Sequence, residues 1–187
     1  MSDDAMLVLE EVKEQMEHAL RHLEKEFQKI RAGKANPNML SGVRVDYYGV
    51  MTPIEQTANI NTPDPYSIVV QPFDKSTLYE IEKAIMNANL GFNPSDEGDQ
   101  LRIKVPPLTE ERRRELVKKA KQVAEETKIG VRNARRHGND EAKKLEKEGL
   151  SEDETKRLED EIQKLTDQYI EKIDKTLESK ERDIMTI

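Results

Sequence analysis

Apolar residues recur at three- and four-residue steps in three long stretches of this chain, and at alternating positions between the first stretch and the second. Leu9, Val12, Met16, Ala19, Leu23, Phe27 and Ile30 have charged residues between them, which predicts an amphipathic helix over residues 6–30 that stops at Ala32-Gly33. Pro106-Pro107 cannot continue inside a helix, and Thr109 followed by Glu110 and Glu111 is a helix start, so a second helix is predicted over 109–148 and closed by Gly149. Ser151 to Glu154 reads as a capping box, and Leu158, Ile162, Leu165, Tyr169, Ile173, Leu177 and Ile184 carry a third helix almost to the end. At about 1.5 Å per residue the second and third helices would extend about 60 Å and about 50 Å. A tight turn at Gly149 folds them back as an antiparallel pair, and the first helix supplies the third apolar stripe of a bundle. A coiled coil between chains is the alternative.

Between Gly33 and Val105 the period changes. Val43 to Tyr47, Ser67 to Gln71 and Gln100 to Val105 are strand-like, and Thr57 to Ile60 is a weaker strand candidate. One short helix begins at Asp74-Lys75-Ser76-Thr77, shows Leu78, Ile81, Ile85 and Ala88 on one face, and ends at Gly91. The expected fold class is therefore α+β. An elongated antiparallel three-helix bundle, residues 1–31 and 107–187, carries a small α/β domain, residues 32–106, inserted between its first and second helices. Hinges are expected near 31–34 and 105–107, at Ala32, Gly33, Pro106 and Pro107.

Composition narrows the function. Charged residues are 37% of the 187 and aromatics 4%, with no Trp, so surface outweighs any aromatic core. Cysteine is absent, which removes disulfides, and no apolar run approaches a bilayer span. The first residues are acidic where signal and transit peptides are basic, which makes the cytoplasm the expected compartment. Net charge is −7, but it is segregated. Residues 112–136 hold ten Lys/Arg and three Glu, whereas residues 140–187 hold sixteen acids and ten bases. A basic island on an acidic chain suggests a localised face for a polyanion, although a solvated helix surface explains the counts equally well.

Catalytic constellations are missing. Gly33-Lys34 lacks the upstream glycine of a phosphate loop, so hydrolysis of GTP or ATP is not expected. His18 and His22 have the spacing of a metal pair on a helix, but Ala19 stands where a His-Glu-x-x-His motif has Glu and no third ligand is evident. His137, beside Arg135 and Arg136, has no nucleophile to serve. No catalytic residue, metal ligand or cofactor is expected. The basic stretch is more informative: Arg114, Lys118, Lys121, Lys128, Arg132 and Arg135 follow steps of three and four and form one stripe, each cation expected to point away from the core. Arginine grips phosphate through two parallel hydrogen bonds, so Arg132, Arg135 and Arg136 are the expected specific contacts, with Lys118, Lys121 and Lys128 as a supporting field. No aromatic interrupts the stripe to stack on bases, which points to structured RNA or another phosphate-rich surface read by shape.

Four segments together resemble the bacterial ribosome recycling factor family. They are Arg31-Ala32-Gly33-Lys34-Ala35-Asn36-Pro37, Pro72-Phe73-Asp74, Val105-Pro106-Pro107-Leu108-Thr109-Glu110-Glu111-Arg112-Arg113 and Val131-Arg132-Asn133-Ala134-Arg135-Arg136. The resemblance runs the length of the chain. It implies an L-shaped, tRNA-like outline, binding across the ribosomal A and P sites after termination, and splitting of the spent ribosome together with elongation factor G and GTP, the GTPase being that partner. It also implies that Arg132 and Arg135 touch large-subunit ribosomal RNA and that Arg31 and Lys34 add basic contacts near the hinge. Lys34 departs from the Arg more usual there, and Ala32 and Asn36 from the commoner Thr and Ser. A monomer is expected, since three stripes in one chain satisfy each other. A helical scaffold or chaperone cofactor is the competing class. It would share the long helices but would not require a one-sided cationic stripe.

Overall fold

The computed structural model describes residues 1–30 and 33–186. It divides into two compact units, Met1–Ala32 with Glu110–Ile187, and Gly33–Thr109.

The first unit consists of three long helices: α1 (Asp3–Lys29), α3 (Glu110–Lys147) and α4 (Glu152–Met185). α1 is capped by Ser2, whose Oγ accepts from the Ala5 amide at 3.2 Å, with Asp3 and Asp4 complementing the helix dipole in the first turn. Its buried face is Ala5, Val8, Val12, Met16, Leu20, Leu23 and Phe27, so Leu9 and Ala19, expected inside, lie at the border and Val8 and Leu20 take their places. Similarly, Val123 and Leu145 of α3, and Leu165 and Leu177 of α4, flank the seam. The seam itself includes Thr127, Thr155 and Thr166, three buried residues whose hydroxyls donate to carbonyls four positions back at 2.8–2.9 Å. Each hydroxyl is thereby satisfied by its own helix and the methyl group is left for packing.

α3 contributes small side chains to the core, and at Gly138 the neighbouring helices leave no room for a Cβ. A Cβ there would lie 2.5 Å from Val12 Cγ2 and 3.0 Å from Ile162 Cδ1, both on fully buried residues. The turn from α3 to α4 is a Schellman motif: Gly149 has φ +117°, its amide donates to the Glu146 carbonyl at 3.2 Å, and the Leu150 amide donates to Leu145 at 2.9 Å. Ser151 then caps α4 through the Glu154 amide. Across the α1–α4 seam the Tyr169 hydroxyl donates to the Glu17 carboxylate while Lys172 Nζ sits 4.6 Å from the ring centre. Burial and this hydrogen bond push the Tyr169 phenol up to about 12.

The second unit pairs β3 (Ala58–Asp64), β4 (Ser67–Pro72), β6 (Leu101–Lys104) and β5 (Pro94–Asp96) in one antiparallel sheet of order β3-β4-β6-β5. The central strand β4 buries four consecutive residues, Ser67 to Val70. α2 (Leu78–Asn87) packs Leu78, Ile81 and Ile85 into a core shared with Ile68, Val70 and Ile103. The helix ends at Asn87 with Ala88 as its cap, and Asn89 follows in the left-handed region with φ +54°, so the chain turns before the glycine expected to end the helix. A separate hairpin joins β1 (Arg44–Tyr47) to β2 (Val50–Pro53) through Tyr48 and Gly49, both at positive φ, the geometry of a type I′ turn. Tyr48 is held there by donating its hydroxyl to Asp74, which also caps the turn leading into α2 through the Ser76 amide. Neither β2 nor β5 shows apolar alternation in sequence; both are edge strands defined by their partners.

Candidate nucleic-acid interface

α3 is a helix at about 100° per residue, which fixes where its cations go. The stripe lies about 120° from the middle of the buried face rather than opposite it, on the side of α4. Lys128 therefore does not point into solvent as expected. It leans onto α4, with Nζ 2.6 Å from Asp174 and 3.4 Å from Glu125, and its side chain is only 14% exposed. The Asp174 hydrogen bond raises the Lys128 ammonium above the usual lysine range. Lys121 approaches Glu181 at 3.8 Å. Asp174 and Glu181 are seven residues apart, as are Lys121 and Lys128, and the two helices run antiparallel, so the pairs form a short ladder. That shared spacing is the sequence signal that would have revealed it. Arg114, at the start of α3, pairs with Glu110 at 2.7 Å.

Arginines at the other end of the stripe differ. Arg132 and Arg136 are exposed and Arg135 is partly so. Among the described residues none of the three has an ion pair or hydrogen bond, and Lys118 is likewise exposed and unpaired. Of the acids flanking them on α3, Glu125 pairs with Lys128 and Glu141 with Lys144, while Asp140, one turn beyond Arg136, makes no ion pair with it among the described residues. Exposed guanidinium groups in a row, with all five N–H donors of each available, form a surface suited to phosphate oxygens. Arg113, by contrast, faces the core at 8% exposure, so the island holds one cation fewer on its surface than its count suggests.

The remaining expected residues belong to the second unit or fall outside the description. Lys34 is exposed. Gly33 has φ +82°, and a Cβ on it would lie 3.3 Å from the Leu108 side chain, so the two segments that connect the units run side by side there. Pro106 and Pro107 are exposed, following Val105, whose amide donates to Tyr66. Arg31 and Ala32 lie outside the described residues. His18 and His22 line a groove between α1 and α3 with Glu26 and Glu126. Among the described residues no group of three or more His, Asp or Glu is arranged to hold a metal, and no helix is long and apolar enough to cross a membrane.

A family model described as "Ribosome recycling factor" matches residues 23–185. The ribosome-recycling factor of Flavobacterium psychrophilum is 56% identical over 187 residues, all of both chains. The chain belongs to the ribosome recycling factor family. A second ribosome-recycling factor, from Bacillus subtilis, is 48% identical over 181 residues, 96% of this chain and 98% of the other. Two solved structures are similar over the whole of both chains: a solution structure of a ribosome recycling factor, with TM-score 0.80 and 38% identity, and the T. thermophilus ribosome recycling factor with TM-score 0.63 and 46% identity. The second is described together with E. coli elongation factor G bound to the E. coli post-termination complex.

Proposed function

We propose that this chain binds the post-termination ribosome through the outward side of α3 and, with elongation factor G and GTP, promotes separation of the subunits. The observation that carries this reading is the unpaired set Arg132, Arg135 and Arg136 on a long helix of which two lysines, Lys121 and Lys128, are paired with acids of α4. Phosphates of large-subunit ribosomal RNA are the ligands, with Lys118 adding field strength and Lys34 of the second unit a further contact. Membership of the family and the post-termination complex of a 46% identical neighbour support the same partners. The chain works as a mechanical part in the cytoplasm and as a monomer. The GTPase is the partner, and neither catalytic residue nor cofactor is needed here. Gly33, Ala32, Pro106 and Pro107 form the hinge, a reading supported by the side-by-side connecting segments at Gly33 and Leu108.

Light scattering of model post-termination ribosomes tests the proposal. A GTP-dependent fall in scattering with wild type, lost with Arg132→Ala, is the expected result. Splitting by both proteins would leave the function and remove the site, and splitting by neither, in a system active with a known factor, would remove the function.

A further inference from the structure

Near the middle of α3, on its outward side, stands Ile129, 54% exposed. The other exposed large hydrophobics described in the bundle, Met1, Met6, Leu7 and Met185, lie at helix ends or in the first two turns of α1. A single exposed apolar side chain is ordinary on a protein surface. The surroundings of this one are not. Arg132 and Arg136, three and seven residues on, share its side of the helix, and helical side chains lean toward the N-terminus, so Arg132 reaches back over the turn that carries Ile129 and Arg136 over the turn after it. Both are without partners among the described residues, and of the two acids one turn before, Glu125 is paired with Lys128 and Glu126 accepts from the Gln122 side-chain amide. A β-branched residue at an exposed helix site also helps the helix less than Lys, Arg or Glu would. Ile129 therefore serves nothing visible within the chain.

We propose that Ile129 is a direct RNA contact. Phosphates clamped by Arg132 and Arg136 bring the ribose and base edge between them against its side chain, adding an apolar component to an otherwise ionic anchor. This rests on the reading of α3 as the RNA face given above. Ionic and apolar components separate by salt dependence, because only displaced counterions contribute to the slope of log affinity against log salt.

The experiment measures binding of the full chain to purified bacterial large ribosomal subunits across a salt series. Ile129→Gln, which is helix-compatible and uncharged, is expected to weaken binding about fivefold at every salt concentration with the slope unchanged. Ile129→Leu is expected to bind as wild type, and circular dichroism melts of both variants to match it. Arg132→Ala is expected to weaken binding and flatten the slope by roughly 0.7–0.9. If Ile129→Gln binds as wild type while Arg132→Ala flattens the slope, the Ile129 contact is overturned and the arginine anchor stands. If Arg132→Ala changes neither affinity nor slope, the anchor itself falls. A photo-cross-linker, Ile129→p-benzoylphenylalanine, is expected to label RNA; labelling of a ribosomal protein alone would also overturn the proposal.

Discussion

Two stretches of one cationic stripe on α3 are treated in opposite ways. Toward the α3 N-terminus, Lys121 and Lys128 are drawn onto α4 by Glu181 and Asp174. Toward its middle, Arg132, Arg135 and Arg136 have no acid to hold them among the described residues, and the backbone beneath is fixed by packing alone, with Val131 fully buried and Gly138 pressed against Val12 and Ile162. The lesson is that cation counts overstate a polyanion face. Charges neutralised within the fold join helices, and only those left over are offered to a ligand. The difference suits the side chains: a lysine ammonium is a point charge content with one carboxylate, whereas the arginine fork is best used on phosphate.

The largest expected effect tests the free end. Replacing Arg132, Arg135 and Arg136 together by Ala is expected to lower affinity for the large ribosomal subunit by about a hundredfold or more. In wild type, with the three arginines, Lys118 and Lys34 as contacts, the log–log salt slope is expected to be about −3.5 to −4.5, roughly 0.7–0.9 per neutralised phosphate, and a slope of about −6 would mean that the paired lysines are ligands after all. Next is the platform beneath the arginines. Gly138→Ala gains helix propensity but forces a methyl group into two stiff neighbours, for a net loss of about 1–2 kcal/mol in thermal unfolding. An unchanged melting temperature would show that the bundle yields there.

At the tied end the effects are smaller. A double-mutant cycle of Lys128→Met and Asp174→Asn is expected to give about 0.5 kcal/mol of coupling in stability, with ribosome binding of Lys128→Met changed less than about twofold. The pair also has a pH signature. Because the folded pKa of Lys128 is raised above 10.5, its contribution is complete below the unfolded value and is lost as pH rises through the folded one. Melting temperatures of wild type and Lys128→Met should therefore converge above pH 10.5, a trend that constant separation would refute. Tyr169 loses its proton near the same range in both proteins and cancels from the difference.

Long periodic segments were legible because their signal repeats over many turns: α3, α4 and the Gly149 turn appear where the pattern puts them, whereas α1 begins at Asp3, three residues before the expected start, because Ser2 caps it and Asp3 and Asp4 complement its first turn. What was missed depends on partners remote in sequence. Thr127, Thr155 and Thr166 read as polar letters, yet each hydroxyl is satisfied locally and the residue packs inside. Leu9 and Ala19 read as core, but the seam between helices is narrower than the apolar stripe and passes through Val8 and Leu20. β2 and β5 have no pattern of their own because an edge strand is specified by what it pairs with. At the candidate site register singled out Arg132 and Arg135, which the structure leaves without ion pairs among the described residues. The fate of Lys128 was hidden, since its carboxylate partner lies on another helix.

Only Gly149, Leu150 and Ser151 separate the last residue before the Schellman cap from the first turn of α4. The consequence concerns the order of folding. α3 and α4 form a hairpin of sequence-local contacts and can zip together quickly. α1 is made first but finds its partners only after the whole of the inserted unit, residues 33–109, has been synthesised. A nascent chain therefore carries the bare apolar stripe of Met16, Leu23 and Phe27 for the time needed to translate that unit, and interrupting synthesis before α3 yields a sticky helix rather than a partial bundle.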